Sequence, residues 1–135
     1  MPIRRGESWG DAVPVPTGLR MVHSDAEASE VIGVALASGT HMPDVALVAG
    51  DLARTMGGAT TGRFTDGRDV VRAPVDLWRV ETDTWSGWSL AHVVMRRSWW
   101  HGGLVLAMNA QFLGDYDVAP RSHPYDGRLD VIEVQ

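Results

Sequence analysis

The chain contains no cysteine, which excludes disulfides, thiolate catalysis and Cys-type zinc sites together and leaves the redox compartment open. It has no apolar run near the ~20 residues of a membrane-spanning helix. No apolar h-region follows Met1-Pro2-Ile3-Arg4-Arg5-Gly6, so a secretory leader is not predicted and a soluble cytoplasmic protein is the default. Basic tracts are absent as well. The twelve basic residues, all arginine, are scattered or fall in the pairs Arg4-Arg5 and Arg96-Arg97, and the formal net charge is -5. That balance excludes the basic face of a nucleic-acid-binding protein and the polybasic segment of an anionic-lipid anchor. Phenylalanine and tyrosine number two each against six tryptophans, five of them at or beyond Trp78.

What is present suits one globular domain: 135 residues, 44% hydrophobic and 21% charged. No repeat or low-complexity segment is found. Residues 1–18 carry Gly6, Gly10, Pro14, Pro16 and Gly18 and read as an irregular arm, with Trp9 as an anchor to a single compact domain over 19–135. An apolar piece, Leu19 to Val22, precedes a helix start at Ser24, with Glu27 at capping-box spacing. Ala28, Val31, Ile32, Ala35 and Leu36 form a stripe of helical period, and Gly39 is placed to close it. A strand over Asp44 to Val48 and a short helix over Asp51 to Met56 complete a β-α-β-α unit over 19–58.

Residues 59–69 are polar and glycine-containing, a loop. Beyond them the chain reads as strands: Val70 to Thr82, Leu90 to Arg97, Leu104 to Phe112 and Arg128 to Val134. Several are apolar on both faces, as in a strand covered on both sides. The fold class is therefore α+β, with helices early and antiparallel sheet or sandwich late.

Several groups carry potential chemistry. Gly50, Asp51 and Arg54 lie at a strand-to-helix junction whose free N–H groups can cradle phosphate, although Asp51 as N-cap would itself answer those donors. Asn109 and Gln111, two apart on a strand, share a face and are candidates to orient a ligand's hydroxyl or a water. Asp115, Asp117, Asp126 and Asp130, with Tyr116, His123 and Tyr125, give a carboxylate-rich end; the spacing matches no EF-hand loop, and Asp126-Gly127 is also an ordinary hairpin turn. Five separated histidines give no metal-binding pairing, and no metal site is assigned. Trp99-Trp100, before a glycine turn, reads either as an exposed aromatic patch for a lipid or a partner or as one ring in the core and one over the surface.

The run Met108-Asn109-Ala110-Gln111-Phe112-Leu113-Gly114, then Val118-Ala119-Pro120, then Asp126-Gly127-Arg128-Leu129-Asp130-Val131, resembles the closing β-domain of diacylglycerol-kinase-like and sphingosine-kinase-related lipid kinases. Gly50-Asp51-Leu52-Ala53-Arg54-Thr55-Met56-Gly57 is similar to that family's N-D-x-A-R-x-L-G helix start, with Gly50 where the family has Asn. The resemblance implies an α+β fold with a lipid-kinase C-terminal sheet. It places Asp126 where the family activates the lipid hydroxyl, with Asp130 beside it. It also implies a lipid or nucleotide ligand and, in an active enzyme, ATP and Mg²⁺. The family's G-G-D-G-T nucleotide turn does not occur in the chain, which is about half the family's length. The resemblance therefore suggests a binding or regulatory module, a homodimer or one of two chains whose partner supplies the nucleotide domain. The alternatives are a small protein–protein interaction domain and a minimal ATP-dependent lipid kinase.

Overall fold

The structure, a computed structural model, describes residues 9–57, 69–96, 100 and 102–135. Its first unit is a parallel strand pair bridged by a helix. Strand β2 (Arg20–Val22) lies beside β3 (Val45–Leu47), and helix α1 (Asp25–Ser38) crosses between them. The helix begins where the sequence places it. Ser24 Oγ accepts the Glu27 N–H at 3.1 Å, and the Glu27 carboxylate reaches back to the His23 N–H at 2.8 Å, one residue before the cap. At the other end Gly39 adopts φ +62°, and its N–H closes the last turn on the carbonyls of α1. The predicted stripe turns Ala28, Val31 and Ala35 inward, while Leu36 at its end remains 39% exposed. Helix α2 (Asp51–Thr55) follows β3 at once.

Strand β1 (Asp11–Pro14) pairs antiparallel with β4 (Asp69–Arg72), so the segment that reads as an irregular arm contributes a strand. The Trp9 indole N–H donates to the Pro74 carbonyl at 3.0 Å, and its ring meets His123 edge-on. The strand expected over Val70 to Thr82 is two strands, β4 and β5 (Trp78–Glu81). Pro74 divides them, since proline cannot donate to a ladder. Strand β5 pairs with β6 (Ser86–Ser89), which the sequence reading omits. The largest sheet has the order β11-β8-β7, from β7 (His92–Arg96), β8 (Leu104–Met108) and β11 (Asp130–Val134), all antiparallel. Between β8 and β11, β9 (Phe112–Leu113) and β10 (Tyr116–Asp117) form a two-residue ladder about the Gly114 turn. The fold is thus a mixture of helix and strand, with small open sheets that are antiparallel except for β2–β3. The loop expected over 59–69 lies outside the described residues save for Asp69, in β4.

Two apolar clusters hold these pieces. One joins Val22, Ala28, Val31, Leu52, Leu90, Ala91 and Ala110, so both helices, β2 and the approaches to β7 share it. The other, Leu106, Met108 and Ala119, lies against β8 with Leu104, Leu113, Val118 and Ile132. Gly33 lets α1 approach β6 closely, because a Cβ there would lie 3.0 Å from the Trp88 ring. Among the described residues no helix is long and apolar enough to cross a membrane.

Candidate functional site

A parallel strand pair sends both of its following helices off the same end, which brings the starts of α1 and α2 side by side. Asp25, in the first turn of α1, uses that proximity. Its carboxylate accepts the Asp51 N–H at 2.8 Å and the Leu52 N–H at 3.3 Å and 3.4 Å to its two oxygens. One helix therefore supplies the cap of the next. The N-cap position belongs to Gly50, not to Asp51 as the sequence suggests, and Gly50 offers no side chain to those donors. Its φ of +118° and its closeness to Asp25 (a Cβ would lie 2.5 Å from the carboxylate oxygen) leave room for glycine alone.

Burial of the Asp25 carboxyl raises its pKa above the ordinary 3.8, and the negative charge of Asp51 adds to the rise. The Asp51 and Leu52 N–H bonds and nearby His92 oppose it.

Asp51 faces the other way. Its Oδ1 accepts the Gly114 N–H at 2.9 Å, and its Oδ2 lies 3.5 Å from His92 Nε2. Arg54 holds the opposite side of that turn, donating to the Gly114 carbonyl at 2.7 Å with its guanidinium 4.2 Å from the centre of the Phe112 ring. Thr55 Oγ1 accepts the Gln111 N–H at 3.0 Å. Segments 50–57 and 108–114 are therefore docked on each other, and Asp51 and Arg54 are the clasp.

Asn109 and Gln111 do not share a strand face, because β8 ends at Met108. Asn109 is fully buried, and its Nδ2 donates to the carbonyls of Leu90 (2.8 Å), Asp76 (3.2 Å) and Pro124 (3.5 Å). It ties three chain segments together. The Gln111 side chain turns outward to Asp117 Oδ2 at 3.0 Å.

Asp126 and Asp130 take no part in the clasp. Asp126 Oδ1 accepts the Arg128 N–H at 3.0 Å, ordinary turn chemistry, while neighbouring Gly127 donates to Asp76 Oδ2 at 2.7 Å. Asp130 opens β11 opposite Met108 and is exposed. Among the described residues no group of three His, Asp or Glu side chains is arranged to hold a metal ion.

No family model, curated protein or solved structure matches the chain. Three of the site's working residues escape the sequence reading. Asp25 looks like a routine acidic residue in a first helical turn, and its partners lie 26 and 27 positions away. His92 is one of five unpatterned histidines, and Asp76 is a lone acid between strands. A capped helix start followed by strand and Gly-Asp is the one local signal that could have suggested Asp25.

Proposed function

We propose that the protein is a lipid-kinase-related, diacylglycerol-kinase-like binding or regulatory module that does not transfer phosphate by itself. The observation that carries this reading is the Asp25 carboxylate on the N–H groups of Asp51 and Leu52. In the junction that would cradle a phosphate, those donors already serve an anion, and a phosphate there would meet the charges of Asp25 and Asp51 together. Phosphoryl transfer depends on positioning and charge neutralisation around the transferred group. Within these 135 residues there is no G-G-D-G-T turn, and Arg54, the one cation of the junction motif, is spent on Gly114 and Phe112. The resemblance assigns hydroxyl activation to Asp126, whose carboxylate accepts the Arg128 N–H within its turn. A separate nucleotide-domain chain would have to bring ATP and Mg²⁺. The test is an assay of ATP-dependent phosphorylation of diacylglycerol by the purified chain: no product supports the reading, and turnover that is lost in Asp126→Asn overturns it.

One observation favours a second reading, a protein–protein interaction domain. Trp100 is 83% exposed; Trp99, its partner in the predicted patch, lies outside the described residues. Gel filtration of Trp100→Ala against the parent discriminates, since an unchanged elution volume counts against a homodimer built on that residue.

A further inference from the structure

One residue grips the Asp126-Gly127 turn at both of its ends. Asp76 donates its N–H to the Pro124 carbonyl at 2.7 Å, and its Oδ2 accepts the Gly127 N–H, also at 2.7 Å. The Asp76 carbonyl in turn accepts from the buried Asn109 Nδ2 at 3.2 Å, so the grip is itself anchored. Within the turn, Asp126 Oδ1 accepts the Arg128 N–H at 3.0 Å, and Gly127 adopts φ +70°. Asp126 is only half-buried and Gly127 is exposed, so water reaches the peptide bond between them.

We propose that Asp126-Gly127 is a latent site of spontaneous isomerisation to isoaspartate, and that Asp76 is the residue that keeps it unreacted. Aspartate before glycine is open to this reaction because glycine leaves the following nitrogen uncrowded and free to rotate. The Gly127 nitrogen attacks Asp126 Cγ. The amide proton and one carboxyl oxygen, with a proton from solvent, leave as water and close a succinimide. Water then reopens the ring. Addition at the main-chain carbonyl breaks its bond to nitrogen, and the chain now runs through the side-chain carbon, one methylene longer. Only water is released and consumed, so no cofactor is needed.

Attack requires the nitrogen to lose its proton and the peptide to rotate toward Cγ. The Asp76 carboxylate opposes the first, since it stabilises the N–H form and its charge disfavours an anionic nitrogen beside it. Its double hold on Pro124 and Gly127 opposes the second. With the turn open to solvent, these hydrogen bonds and not burial carry the protection. The cost of reaction would fall on β11, which starts at Asp130 in register with Met108. A main chain lengthened at Asp126 pushes that strand out of place. This site does not depend on the kinase resemblance. It would stand if the chain proved catalytic, and it could fail with the resemblance intact.

The test is incubation of the folded full chain at neutral pH and physiological temperature, followed by tryptic mapping of the peptide Ser122–Arg128. Isoaspartate there is read from a shifted retention time at unchanged mass and from resistance to an aspartate-specific protease. The chain's other Asp-Gly pair, Asp66-Gly67, falls on a different peptide and does not interfere. Isoaspartate should form about tenfold or more faster in Asp76→Ala than in the parent, equivalent to the one charge-assisted hydrogen bond removed. An unchanged rate in Asp76→Ala overturns the proposal. If that variant does not fold, the parent decides. Amide exchange at Gly127 should be at least about tenfold slower in the folded chain than in urea, and isomerisation should be slowed to match. An unprotected Gly127 N–H, or equal isomerisation rates in the folded and unfolded parent, overturns it too.

Discussion

The carboxylate of Asp25 and the backbone N–H of Asp51 meet at 2.8 Å, so that α1 caps α2 across 26 residues of chain. Short helices have little stability of their own, and α2 has only five residues. Its geometry is borrowed from this contact and from the burial of Leu52 beneath it. Replacing Asp25 by Ala strands two helix N–H groups and should lower unfolding free energy by about 1–3 kcal/mol. Urea denaturation checks this, and an unchanged midpoint would show that the cap is dispensable.

Gly50 and Asp25 are coupled through space. Gly50→Ala places a Cβ 2.5 Å from the Asp25 oxygen at φ +118°, and the strain should cost roughly 1–3 kcal/mol. In the double variant with Asp25→Ala the clash has gone. The two costs should then sum to more than the double variant loses, a departure from additivity of at least about 0.5 kcal/mol. Strict additivity would deny the contact.

The raised pKa of Asp25 gives a pH dependence with a definite sign. Burial, the largest cause, makes the folded state hold the Asp25 proton more tightly than the unfolded chain, whose carboxyl titrates near 3.8. The stabilisation is fully present below that value and is lost as pH rises through the folded-state value. Asp25→Asn keeps an oxygen for the N–H groups but removes the titration. Stability of the parent minus that of Asp25→Asn should therefore fall as pH is raised through the acid range above 3.8. A difference that grows with pH would reverse the assignment.

Asn109 ties three chain segments together through one buried side chain. Asn109→Ala removes the donor to the carbonyls of Leu90, Asp76 and Pro124 and should cost about 2–4 kcal/mol. Asn109→Asp should be at least as damaging at neutral pH, since it turns a carboxylate toward those oxygens. Thermal unfolding of both variants tests the order.

How much of this is legible in the sequence follows from the range of each interaction. The start and end of α1 are read correctly because Ser24, Glu27 and Gly39 act within a few residues of themselves. The pairing of β1 with β4 is not legible: Asp11 to Pro14 is flanked by glycine and proline, and its partner is some sixty positions on. The break at Pro74 is visible in principle, but the apolar run on either side of it conceals it. Among the site residues, Asp51 and Arg54 are flagged by the sequence, and in the structure both bind the Gly114 turn. The motif that suggests a phosphate cradle gives the residue types without showing that the Gly114 turn takes them up. Asn109 is misplaced on a strand face because no local signal ends β8 at Met108; what ends it is the convergence of the segments at Leu90, Asp76 and Pro124.

The central claim, a module whose phosphate-like junction is already filled by its own Asp25, is tested most directly by calorimetric titration of the purified chain with Mg²⁺–ATP. The account predicts no saturable heat for the parent. Saturable binding that disappears in Asp51→Ala would contradict it.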